Sequence, residues 1–146
     1  STASVLALLA ETGLAMDRWR NSKAFASWLG LCPNNRVSGG KVLASKSKQC
    51  VNRAARIFRM AAYGLHHAKS ALGAFYRRMR SKLGAPKAIT ATAHKLARLF
   101  YSMLKTKKSF ADIGQDAYDR TYNQRRLKGL AKVAEQLGFK LVPSTP

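Results

Sequence analysis

The sequence predicts an all-α fold: a compact bundle of about five to six helices, with one Gly-rich, serine-bearing loop between the second and third. Three observations carry this. Apolar residues recur at helical spacing, most clearly in Ile89, Ala93, Leu96, Ala97, Phe100 and Leu104. Residues that start or stop helices stand between these stretches: Ser22 and Ser70 as caps, Gly13, Gly84 and Gly138 as stops, and Pro86 at a first turn. No stretch alternates long enough to predict a sheet, and no internal repeat is present. At 146 residues and 47% hydrophobic content, the chain reads as a single domain over 1–146 that can build its own core.

In order, the first helix covers Ser1 to Glu11, capped by Ser1 or Thr2, with Val5, Leu6, Leu8 and Leu9 inward. It starts so abruptly that the chain reads as cut from something longer. A second helix runs from Lys23 to Leu29 behind Ser22, and Phe25, Trp28 and Leu29 share its face. Trp19 and Trp28 read as core or rim aromatics rather than base-stacking platforms. The loop follows, over about residues 30–48, with Pro33 ending the helix before it and Asn34-Asn35 favouring a turn.

A polar lead, Ser45 to Lys48, then enters a long helix from about Gln49 to Lys69. Val51, Ala54, Phe58, Ala61, Ala62 and Leu65 fall on one side of it, and Arg53, Arg56 and Arg59 on the other. Ser70 caps the next helix, Ala71 to Leu83, with Leu72, Phe75, Met79 and Leu83 inward and Arg77, Arg78, Arg80 and Lys82 outward. The helix opened by Pro86 places Lys87, His94, Arg98 and Lys105 opposite its apolar stripe. His94 reads as a partly exposed helix residue rather than a catalyst. Three acids between Ser109 and Asp119 suit the positive start of a last helix, which runs to about Leu137. Phe139 to Val142 add a short extended piece.

The charge balance is extreme: 27 Lys and Arg against 6 Asp and Glu, a formal net charge of +21. No acid lies between Arg18 and Ala111. Such a field destabilises the fold by self-repulsion unless a polyanion offsets it, and nucleic acid is the natural partner. A membrane surface fits less well, because the basic residues are spread over helices that must also build a core. Two cysteines, Cys32 and Cys50, make no disulfide framework, and there is no signal peptide or long apolar run. Reduced thiols and a cytoplasmic location follow as expectations. His66 and His67 are adjacent and do not form a zinc set with the scattered cysteines.

The loop holds the chemistry. Ser38 is followed by Gly39, Gly40 and Lys41 and preceded by Arg36, so a hydroxyl, bare backbone N–H groups and cations lie together, which suits a phosphate. A basic surface loop whose Ser and Gly only serve the turn is the other reading of these residues. Clustered carboxylates for a two-metal nuclease are absent from the basic span, and the loop lacks the spacing of a P-loop. What remains is attack on a phosphodiester by the Ser38 hydroxyl, with arginines neutralising the phosphate. The residues expected to hold DNA or its phosphates are Arg36, Gly39, Gly40, Lys41, Lys48, Arg53, Arg56, Arg59, Arg77, Arg78 and Arg98. No general base for Ser38 is evident.

Several segments together resemble the C-terminal transposase domain of the DEDD-type insertion-sequence transposases, relatives of the Piv-type invertases described as bridge-RNA-guided recombinases. They are Ala10 to Gly13, Phe25 to Pro33, Ser38 to Lys41, Arg53 to Ala62, Ala88 to Ala97 and Tyr101 to Leu104. The resemblance covers nearly the whole chain. It departs where many relatives carry Gly-Asn and this chain has Cys50-Val51. It implies that Ser38 is the nucleophile of DNA strand exchange and becomes linked to phosphate. It also implies an N-terminal RuvC-like domain, absent from this chain, that brings four acids and Mg. No cofactor or metal is expected in the chain itself. The implied partners are DNA, a guide RNA, that N-terminal domain and further copies of the full-length protein, in a bacterial or archaeal cytoplasm at the nucleoid. The isolated fragment is expected to be inactive. Two other readings stand beside this one: a non-catalytic basic helical module that grips DNA or RNA, and a helix-packing or oligomerisation domain whose basic face is incidental.

Overall fold

The computed structural model describes residues 1–47, 49 and 52–145. Six α-helices carry the fold: α1 (Thr2–Thr12), α2 (Ser22–Trp28), α3 (Arg53–Gly64), α4 (Ala71–Leu83), α5 (Ala85–Thr106) and α6 (Gln115–Gln136). Short 3-10 turns at Met16–Arg18 and Leu65–His67 link them. The bundle matches the helical expectation with one difference. Between α2 and α3 the chain forms a hairpin of two antiparallel strands, β1 (Pro33–Ser38) and β2 (Lys41–Ser47).

Local chemistry sets each boundary. Ser1 caps α1, and Gly13, at φ 72°, closes it with its N–H on the Leu9 carbonyl. The Asn21 side chain, rather than that of Ser22, caps α2 by accepting from the Ala24 N–H at 2.9 Å. Asn21 holds the cap position because its backbone is extended, at φ −160° and ψ 174°, whereas Ser22 is already the first helical residue. Gly30, not Pro33, ends that helix. At φ 67° it lets the Leu31 N–H bond the Ala26 carbonyl at 3.0 Å while its own N–H bonds that of Ser27 at 2.9 Å. This is a Schellman closure.

The long helix expected from Gln49 to Lys69 is shorter at both ends. Asn52 caps it, its side-chain oxygen accepting from the Ala54 and Ala55 N–H groups, and at Ala68 the chain is extended. Gly73 fits this path, since an added Cβ there would come within 2.1 Å of the Ala68 carbonyl oxygen. The start of α4 therefore presses directly on the turn before it. Ser70 caps α4 as predicted, accepting from the Gly73 N–H at 3.0 Å. Asp112 adds a second acceptor for the same end, taking the Ala71 N–H at 3.0 Å. Gly138 closes α6 with a second Schellman pair, Phe139 N–H to the Ala134 carbonyl at 2.8 Å and its own N–H to Glu135. Phe139 to Val142 form no strand.

The core gathers Leu8, Met16, Trp19, Phe25, Leu29 and Leu31 with the inner faces of α3 and α5. Phe25 is completely buried, which stabilises the fold by about 1.5–3 kcal/mol for such a side chain. Its ring meets Trp19 edge-on at 4.8 Å and lies near-parallel to Phe100 at 6.3 Å. The Tyr101 hydroxyl donates to the Trp19 carbonyl at 3.0 Å, tying α5 to the connector before α2. Where α3 crosses α5, the fully buried alanines Ala54, Ala55 and Ala62 of α3 and Ala93 and Ala97 of α5 share the core with the Phe58 ring, which meets Phe100 edge-on at 5.6 Å. Val5 and Leu6, expected inward, are exposed, because α1 packs against α3 through Leu8 alone among its buried apolar residues. Ala61 and Leu83 also face outward, and Ala55 takes a core place the periodicity did not assign. The second half of α6 leaves Leu127, Leu130, Val133 and Leu137 exposed. The expected core position Val51 lies outside the described residues.

Candidate functional site

The serine loop is an arm. All of β1, and β2 as far as Lys46, are exposed, and no helix packs extensively along them. The Asn34-Asn35 pair does not make the turn: both residues are paired in the ladder, with Lys46 and Ser45. The turn falls at Gly39-Gly40, where φ is 56° and 74°. Two consecutive positive φ values are the mark of a type I′ hairpin turn, and glycine adopts them without a steric cost. This turn makes Ser38 the last residue of β1 and pairs it with Lys41, the first of β2.

Strand alternation distributes the side chains. Arg36 and Ser38 lie two apart and so share a face, with Lys41 opposite Ser38 and Ala44 opposite Arg36. Val37 pairs with Val42 on the other face. Between those pairs the register shifts, because Leu43 is an extra residue in β2. The bulge tightens the local twist, and Leu43, like Val37 and Val42, is exposed. One face of the tip is thus a hydroxyl between two cations; the other is aliphatic.

The remaining basic residues fall into separate groups. Arg53 and Arg56 lie exposed at the start of α3, and Arg59 is half-buried one turn on. These three are not part of the hairpin tip, which keeps only Arg36, Gly39, Gly40 and Lys41 beside Ser38. Lys48 lies outside the described residues, as do Cys50 and Val51, which lead into α3.

Two arginines expected to face outward are held by the protein. Arg77 donates to the carbonyls of His66 at 3.0 Å and Ala68 at 2.9 Å, and to the Gln115 side chain at 2.7 Å. Its guanidinium fork closes the turn before α4 and draws in the start of α6. The Arg78 guanidinium lies 4.1 Å from the Tyr122 ring centre and 5.0 Å from that of Tyr118, so it stacks between α4 and α6. The signal that could have shown this is the Tyr-x-x-x-Tyr spacing on α6, which puts both rings on one face.

Arg98, exposed on α5, donates from Nε to the Ser22 hydroxyl at 3.3 Å. Beside it, Lys95 places its ammonium 4.3 Å from the Phe75 ring centre. Burial holds the Lys95 pKa below its ordinary value, and the nearby charges of Arg78 and Arg125 lower it further. Burial, and then the charge of Arg98, also holds the His94 pKa down. Neither residue was assigned a functional part by the sequence, because no motif surrounds them. Cys32, half-buried ahead of β1, has its thiol pKa pushed up by burial, with Arg98 opposing. The described residues contain no group of three or more His, Cys, Asp or Glu side chains able to hold a metal. No helix among them is long and apolar enough to cross a membrane.

The model of the transposase IS116/IS110/IS902 family matches residues 1–77, slightly more than half of the chain. That span runs from α1 through the serine hairpin and α3 to Arg77 in the middle of α4; α5 and α6 lie beyond it. No curated protein and no solved structure matches the chain. The chain belongs to the transposase IS116/IS110/IS902 family, whose work is DNA transposition, and DNA is accordingly its partner.

Proposed function

We propose that this domain supplies the nucleophile for phosphodiester strand exchange, and that Ser38 is that nucleophile. The observation that supports it is the placement of Ser38 at the end of an exposed arm, paired with Lys41 and on the same face as Arg36. Such an arm can enter a DNA groove and bring its hydroxyl to a phosphorus atom. Ser38 Oγ then bonds to phosphorus, one ester oxygen leaves with its bonding electrons, and the proton lost from Oγ ends on that oxygen. The phosphate stays attached to the serine until a second DNA hydroxyl displaces it by the reverse exchange.

Arg36 and Lys41 neutralise the phosphate oxygens during attack, and Gly39 and Gly40 leave backbone N–H groups open to them. Arg53, Arg56, Arg59 and Arg98 hold the neighbouring backbone. The hairpin carries no acid or histidine, so the base for Ser38 comes from elsewhere. Among the described residues no three or more His, Cys, Asp or Glu side chains gather to hold a metal. The resemblance to DEDD-type transposases supports a composite site, completed by an N-terminal RuvC-like domain with its acids and Mg. It likewise supports a guide RNA as the second nucleic acid, a homo-oligomer of the full-length protein, and a place at the nucleoid of a bacterial or archaeal cytoplasm. On this reading the present chain alone is catalytically silent.

The test is trapping in the full-length parent with cognate DNA carrying a nick that blocks resealing. A phosphoserine-linked DNA adduct mapped to Ser38, and lost in Ser38→Ala, is the expected result. Recombination at a normal rate by Ser38→Ala would leave a non-catalytic DNA- or RNA-binding module as the correct reading.

A further inference from the structure

A cleft of about 540 Å³ opens between α2, α4 and α5; Ser22 and Phe75 of its lining fall within the family match, and its α5 residues lie beyond it. Its apolar floor is Phe75 and Leu99; its polar rim is Ser22, His94, Lys95 and Arg98. No lining residue is acidic. The three nitrogen-bearing side chains come from one stretch of α5, at i, i+1 and i+4. A core-packing role would not require two cations and an imidazole around one opening.

The cations are also held in place. Arg98 is fixed by its bond to Ser22 Oγ, which leaves the rest of its guanidinium fork for a ligand. Lys95 is pressed on the Phe75 ring at 4.3 Å, with the Tyr118 ring 5.7 Å away. The charged groups acting on Lys95, Arg78 of α4 and Arg125 of α6, are positive too, so the protein supplies repulsion and no counter-charge. An ammonium half-buried among arginines is stabilised when an anion enters.

The geometry points to a phosphodiester-binding subsite in this cleft, in which Arg98 and Lys95 grip a DNA backbone phosphate and His94 bonds an adjoining oxygen. The sugar beside that phosphate lies on Phe75 and Leu99. This rests on DNA as the partner and is independent of the role of Ser38. The position suits one continuous ligand. The cleft is joined to the arm through α2: Ser22 on its rim opens the helix that leads through Cys32 into β1, the strand that ends at Ser38. A strand of this length spans about 17 Å, which about five base-pair steps of 3.4 Å cover.

The experiment measures binding of a short labelled duplex against salt, with histidine ring resonances followed by NMR in parallel. The variants are Arg98→Gln and Lys95→Met, which remove charge and keep the stems that pack on the cleft. An unchanged thermal midpoint confirms that each variant folds. The double variant is expected to lower the slope of log affinity against log salt by about 0.9, because both cations serve one phosphate. In the unmodified chain the His94 ring signals shift when the duplex is added. An unchanged slope in the double variant overturns the subsite, and so does a lowered slope with silent His94 signals, which would put both cations on an outer path. A lowered slope seen only with a stem-loop RNA overturns the DNA assignment. If the unmodified chain binds no duplex at low salt, DNA engagement itself fails. A Ser38→Ala chain that binds with full slope, in a parent that forms no adduct, separates the cleft from the nucleophile.

Discussion

Ser38 and Lys41 are the last residue pair of the hairpin, facing each other across Gly39 and Gly40. Their separation is therefore set by the turn and not by helix packing. At both glycines an added Cβ meets nothing within 4 Å, so the left-handed backbone alone restricts them. Gly39→Asn, which adopts positive φ readily, should keep the arm and strand exchange in the parent. Gly39→Val should cost about 1–2 kcal/mol locally and shift the register. We expect exchange to fall about 5- to 30-fold in Gly39→Val, at about 1.4 kcal/mol per tenfold, while the thermal midpoint of the helical body stays unchanged. Loss of both activity and fold would show that the hairpin is integral to the core.

Gly73 and Gly129 are both helical glycines with opposite expected behaviour. Gly73→Ala drives a methyl group into the Ala68 carbonyl, 2.1 Å away, and should destabilise the fold by about 2–3 kcal/mol. Gly129→Ala meets nothing within 4 Å in α6 and should stabilise by about 0.5–1 kcal/mol. Urea unfolding of the two variants checks both signs.

The two arginine types separate stability from binding. Arg77→Ala removes hydrogen bonds to two carbonyls and Gln115, and should cost about 2–3 kcal/mol of stability. Arg56→Ala, on the exposed face of α3, should leave stability within about 0.5 kcal/mol and weaken duplex binding, with the salt slope falling by about 0.9. Equal effects of both variants on thermal midpoint and on slope would contradict this division.

The helical design was legible because it is written locally. Ser1 and Ser70 cap, Gly13 and Gly138 stop, and the stripe from Ile89 to Leu104 needs one face of one helix. The hairpin was not legible, since its only strong signal is Ser38-Gly39-Gly40-Lys41, and no alternating pattern flanks it. An arm exposed on both faces buries nothing, so it has no need of hydrophobic alternation. Arg77 was misread for a related reason: its partners are main-chain carbonyls of the turn after α3, and a carbonyl has no letter in a sequence. The cleft at His94, Lys95 and Arg98 depends on three helices meeting, which periodicity along one helix cannot show.

His94 supplies a pH dependence with a definite sign. Its folded pKa lies below the ordinary 6.5, through burial and the charge of Arg98; Ser22 of α2, Phe75 of α4 and Lys95 of its own helix line the same cleft. The unfolded chain takes up the proton first, so stability is full above pH 6.5 and declines as the pH falls through that value. Duplex binding should move the other way, tightening on acidification as His94 gains a proton beside the phosphate. His94→Gln should flatten both curves, measured by urea midpoint and by fluorescence titration. His66, also lowered but on the surface, is unchanged in that variant and serves as the internal control.

The alanine seam between α3 and α5 has a consequence for the entropy of the body that carries the arm. Beside the Phe58–Phe100 pair, Ala54, Ala62, Ala93 and Ala97 have no rotamers to surrender on folding, so at these four positions the crossing orders backbone without ordering side chains. Nor have they rotamers to regain when warmed. The spacing of the two helices should then drift little with temperature, and the arm rooted between α2 and α3 should keep its bearing while its own ladder frays.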